Sequence, residues 1–195
     1  MSSTTPTNSN SMVKIIGLVT VVAGILMMVA GGLTWGLVTT QLKSESITVS
    51  AVTKEAPGSL AGKSVAGPFT AYAQANAIKH HALAGANDRT YAQLGADAKV
   101  LKAKLAAAGA SDADVAKDAG VVALADARTS AMNGSFLRAS LFTSVISFGV
   151  AALVMGLGFL FILLGFAVAK LSSKTVIAAT SYASTKNEEL VGAKA

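Results

Sequence analysis

The sequence has no cysteine, three prolines, one tryptophan and two histidines. Without cysteine there is no disulfide, no thiolate nucleophile and no Cys-based zinc or iron–sulfur site. A lipid-attachment cysteine behind an apolar leader is excluded as well. The two histidines, His80 and His81, are adjacent. On a helix their rings point about 100° apart, so one metal ion cannot easily take both from that helix. No HxxxH or HExxH spacing, carboxylate triad, Ser–His–acid pattern or phosphate-binding glycine loop occurs. The expectation is a chain that is not an enzyme, with no catalytic, cofactor-binding or metal-binding residue.

Charge is also sparse, at 13% of residues, with a net charge of +6. That sign raises nucleic acid as a partner, but its distribution excludes one. Residues 42–139 hold eleven Lys/Arg and eight Asp/Glu, interleaved. No basic run or alternation of basic and aromatic residues appears. This is the pattern of a solvated mixed-charge surface.

Charge is wholly missing from two long runs, and these organise the chain. Leu141–Val168 is uncharged over 28 residues and Ile15–Val38 over 24. At about 1.5 Å per residue either run, as a helix, exceeds a hydrocarbon core of about 30 Å. A soluble core helix has no reason to be apolar on every face for so long. The expected fold class is an all-α membrane protein, with two transmembrane helices joined by a mostly helical extracytoplasmic loop domain. The expected divisions are a disordered tail at 1–12, helix 13–41, loop domain 42–138, helix 139–171 and a second tail at 172–195. The first apolar run is longer than a signal-peptide core of about 7–15 residues, and TTQLKSES after it offers no small-x-small cleavage site. An uncleaved anchor follows. Lys14, Lys170 and Lys174 flank the spans on one side, Lys43 and Arg138 on the other. The positive-inside rule then places both termini in the cytoplasm of a plasma-membrane protein.

Neither span carries an ionisable residue; the polar groups are Thr20, Thr34, Thr143, Ser144 and Ser147. Proton relays, ion paths and gating helices need more. Glycine is what the spans do have. Gly17, Gly24 and Gly31 recur every seven residues on one helix face, and Gly32 with Gly36 forms a GxxxG. In the second span Ala152 and Gly156 stand in small-xxx-small spacing, with Gly149 a turn earlier and Gly158 and Gly165 beyond. Small residues let helix backbones approach closely in lipid. The candidate helix-packing residues are therefore Gly24, Gly31, Gly32, Gly36, Gly149, Ala152 and Gly156. Glycine is common in membrane helices in any case; the sharper expectation is that these residues pack the spans on each other or on a partner's helices. Trp35 sits near a span end, where an indole suits the interface.

Between the spans, Ile47–Val52 reads as a short strand or extended segment. Pro57-Gly58 and Gly67-Pro68 mark turns. Phe69–Ala84 predicts a helix with Tyr72, Ala75, Ile78 and Ala82 on one face. Thr90 and Gln93 form a capping box opening a helix through Ala107, with Leu94, Ala98, Leu101 and Leu105 as its apolar stripe. Ser111 with Asp114 opens another through about Ser130. Asn133-Gly134 is expected to break it before Ser135 starts the second span.

Three segments carry a resemblance: PFTAYAQANAI at 68–78, TYAQL at 90–94 and AMNGSFLRASLFTSVISFGV at 131–150. On these the chain resembles a family of small actinobacterial two-span membrane proteins, often labelled aromatic-ring-opening dioxygenase. LRASLFTS, Leu137–Ser144, is the most specific part. The label implies a non-haem iron site, whose ligands this sequence lacks. The layout also looks like the prokaryotic respiratory supercomplex association factor. That resemblance implies an accessory subunit of the cytochrome bcc–aa3 assembly in the electron-transport chain. The partners it implies are integral-membrane oxidase and bcc subunits and lipids. Lys99–Val122 looks like an insertion relative to shorter members. The alternative is a free-standing extracytoplasmic ligand-binding or sensing protein of the cell envelope.

Overall fold

A computed structural model describes residues 9–192, with side chains described over 11–171. Its regular elements are all helices: α1 Ser9–Ser44, α2 Pro68–Gly85, α3 Tyr91–Ala107, α4 Asp112–Lys117 and α5 Ala119–Gly192. The chain divides into two compact units, residues 1–35 with 150–195, and residues 36–149.

In the first unit α1 and α5 pack antiparallel. Gly17 lies against Gly165, Gly24 against Gly158 and Gly31 against Ala151, so the register falls on one helix as it rises on the other. Both helices are long and apolar enough to cross a membrane. Only 11% and 17% of their most apolar stretches is buried. Leu18, Leu26, Leu33, Leu153, Leu160 and Leu164 are all more than half exposed. Hydroxyls inside the first unit bond back to their own helix. Thr20 Oγ1 donates to the Ile16 carbonyl at 2.8 Å and Thr34 Oγ1 to that of Ala30 at 2.9 Å. Such a helix leaves few polar groups looking for water.

The expected tails differ from the structure where it describes them. Residues 1–8 lie outside the described residues, whereas Ser9–Met12 already belong to α1. The backbone beyond Leu171 continues as α5 to Gly192. Residues 172–191 contain neither proline nor glycine, and adding a residue to a formed helix is far cheaper than starting one.

The second unit is built around an extended strap and α2 to α4. The strap, residues 45–67, folds back on itself. Thr48 and Ser64 form one antiparallel bridge, and Val65 N–H donates to the Ile47 carbonyl at 2.9 Å. Ile47–Val52 is thus extended and forms no longer strand. Gly67 caps α2 in an extended conformation with Pro68 as its first residue, where a missing N–H costs nothing. Buried Gln74 holds the strap to α2: its Oε1 accepts the Ser50 N–H at 2.7 Å. His81 Nε2 donates to the Ala51 carbonyl at 2.8 Å, which adds a second tie.

The buried face of α2 is Ala71, Gln74, Ala75 and Ala77. Ala75 is on the expected stripe, but Tyr72 is half exposed, its ring edge-on to Phe142 at 5.9 Å. The alanines are covered completely, while the aromatic ring lies at the edge of the contact with α5. Thr90 caps α3 as expected, with Gln93 Oε1 accepting the Thr90 N–H at 2.8 Å. Leu94 is fully buried in a cluster with Ala86 and Ala131, flanked by Leu124 and Ala127. Ser111 caps α4, which stops at Lys117. Asp118 Oδ1 then accepts the N–H groups of Gly120 and Val121 and opens α5.

Asn133-Gly134 does not break the helix, contrary to the sequence reading. Gly134 is buried inside α5, where a Cβ would meet the Ala82 Cβ at 3.0 Å. The glycine serves the close approach of α2, and neither residue takes the positive φ that a turn would need.

Candidate helix-packing interface

The glycines of the spans fall into two groups with different surroundings. The first is a seam inside the first unit. A Cβ on Gly24 would stand 2.5 Å from the Gly158 carbonyl oxygen, and one on Gly158 would stand 2.6 Å from that of Gly24. At Gly17 the nearest atom is the Gly165 oxygen at 2.9 Å, and at Gly165 it is the Gly17 oxygen at 2.6 Å. At Gly31 the Met155 Cγ lies 2.6 Å away and the Ala151 oxygen 2.8 Å. Backbone is against backbone, so any side chain here forces the helices apart.

The spacing explains the seam. Gly17, Gly24 and Gly31 recur at seven residues, and so do Ala151, Gly158 and Gly165. A straight helix drifts only about 20° per heptad, so three such positions stay on one side. All six are buried.

The second group has no such cover. Gly32, Gly36, Gly149 and Gly156 have nothing within 4 Å of an added Cβ, and Ala152 is exposed. Of the seven residues singled out in the sequence, the structure therefore brings Gly24 and Gly31 onto the seam. The other five lie off it. Gly149 and Gly156 stand two positions before Ala151 and Gly158, about 200° round α5 on its far side. Gly32 follows Gly31 by about 100°. The seam also uses Gly17, Ala151, Gly158 and Gly165. Gly17 was marked by its seven-residue spacing to Gly24 and Gly31, and Gly158 and Gly165 by theirs, which competed with the shorter Ala152–Gly156 spacing; Ala151 carried no signal of its own.

In the second unit a cavity of about 580 Å³ opens between the end of α1, α2 and α5. Leu42, Ile78 and Leu141 form apolar walls, while Gln41, Glu45 and Gln74 supply polar edges. His80 and His81 lie edge-on to one another at 5.9 Å, both exposed. Among the described residues no three His, Asp or Glu side chains gather closely enough to hold a metal ion.

Compared with family models, curated proteins and solved structures, the chain matches none of them.

Proposed function

We propose that the chain is a two-span plasma-membrane protein that serves as a non-catalytic accessory subunit of a larger membrane complex. The observation that carries this reading is the second set of small residues. One glycine seam is used up inside the chain, and Gly32, Gly36, Gly149 and Gly156 remain open on the same helices. In lipid, small residues are where a second helix comes close. The largely uncovered apolar surface of both helices supports membrane insertion, because a soluble protein would bury it. In this reading both termini are cytoplasmic and residues 42–138 lie outside.

The partner is proposed from the resemblance at 68–78, 90–94 and 131–150: subunits of the actinobacterial bcc–aa3 respiratory supercomplex. The test is purification of a tagged chain in mild detergent, with mass spectrometry of what accompanies it. Recovery of bcc or oxidase subunits is the expected result. Migration of the chain alone contradicts it.

A second reading, a free-standing ligand-binding protein of the envelope, is favoured by the 580 Å³ cavity, whose size is that of small-molecule sites. A small molecule retained through purification by a chain that migrates alone would favour it.

A further inference from the structure

A second, smaller cavity of about 130 Å³ lies in the unit formed by residues 36–149, between α2, the start of α3 and α5. Its walls bring together three cations: Lys79 of α2, Arg89 of the α2–α3 connection and Arg138 of α5. Thr90, Tyr91 and Ser135 also line it. No carboxylate does. Arg89 is held from outside the lining, its Nη1 donating to Asp97 Oδ2 at 3.1 Å and its Nε to the Ala86 carbonyl at 3.2 Å, and the former is the one ion pair among the described residues. Lys79 and Arg138 have no such partner among them.

Arg138 brings an unpartnered donor to this wall. Its Nε is sequestered from solvent and has no hydrogen-bond partner among the described residues. Its guanidinium stands 5.8 Å from the Phe142 ring centroid, a contact that orients the group without satisfying its N–H donors. A buried donor without an acceptor is costly, and like charges converging on one cavity add repulsion. An anion would relieve both. The N-terminus of α3, at Tyr91, opens on the same space and contributes positive potential.

Size and place narrow the ligand. The cavity is well below the roughly 300 Å³ at which sites for drug-sized molecules begin, so it suits a single phosphate-sized group. Arg138 precedes Leu141, the first residue of the long apolar run, by three residues, or about 4.5 Å of helix.

We propose that Lys79, Arg89 and Arg138 form a binding site for a phosphate group, supplied by an anionic phospholipid or by free phosphate. The lipid source rests on the reading that Leu141–Val168 crosses the bilayer; the free-phosphate source does not. The experiment uses the full chain in neutral detergent, with two arms. Inorganic phosphate is titrated against the thermal midpoint, with chloride at equal ionic strength as control. Phosphatidylglycerol is titrated by native mass spectrometry. Saturable binding in either arm is expected, and the arm in which it occurs identifies the source. Lys79→Gln and Arg138→Gln should each weaken it roughly tenfold, the order expected for one charge-assisted hydrogen bond. Lys102→Gln, on the exposed side of α3, should not. Lys79 is exposed, so its variant keeps the test valid if Arg138→Gln fails to fold. No binding in either arm, or unchanged binding by Lys79→Gln, overturns the site. Phosphate binding by a chain that does not insert would keep the site and remove the membrane reading.

Discussion

Gly24 and Gly32 are eight residues apart on one helix, identical in chemistry and opposite in consequence. A side chain at Gly24 meets the backbone of α5, and one at Gly32 meets nothing within 4 Å. Gly24→Leu and Gly158→Leu should therefore separate the helix pair. Overpacking of a tight contact costs about 1–3 kcal/mol, read as a lower thermal midpoint in detergent. Gly32→Leu should leave that midpoint unchanged. Equal midpoints for Gly24→Leu and the native chain would mean the seam is not a packed contact. The seam was half legible at this scale. The Gly17–Gly24–Gly31 repeat is visible because glycine is conspicuous every seven residues. Ala151 is invisible, because alanine is ordinary and only its partner across the helix pair gives it a role. Tyr72 lies towards α5, as do Ile78 and Ala82 on the stripe that the periodicity marks, but at its edge, half exposed and edge-on to Phe142.

Element boundaries divide the same way. The Thr90 and Ser111 caps were legible, because a cap is satisfied by residues three positions away and needs nothing from the rest of the fold. The continuity of α5 through Asn133-Gly134 was not. A dipeptide that favours turns in isolation is helical here because α2 requires a residue without a Cβ where Ala82 arrives. The Gly134 contact makes a direct prediction. Gly134→Leu should displace α2 from α5 and raise amide hydrogen exchange over residues 71–82. Asn133→Ala, at an exposed position, should not. Unchanged exchange in Gly134→Leu would mean that α2 does not rest on this glycine. The end of α5 was missed because the sequence beyond Leu171 offers no apolar stripe to predict from, only the absence of helix breakers.

For the whole molecule, two uncharged runs separated by a mixed-charge segment already specify two apolar helices and a polar connection. Which side of a membrane that connection occupies depends on only five flanking cations. The absence of cysteine makes orientation easy to measure, because every introduced thiol is unique. A cysteine at Ala110 should react with an impermeant reagent in intact cells, and one at Ser184 should not. The reverse pattern would invert the orientation drawn from Lys14, Lys170 and Lys174. The two sets of glycines give the most direct test of the account, which is recovery of partner subunits with tagged variants. Gly32→Leu with Gly36→Leu, and Gly149→Leu with Gly156→Leu, keep the spans apolar and leave the internal seam untouched. Both pairs should still insert and keep the native midpoint, while partner recovery falls several-fold. Recovery equal to that of the native chain would contradict the claim that these open faces are where a larger complex holds this protein.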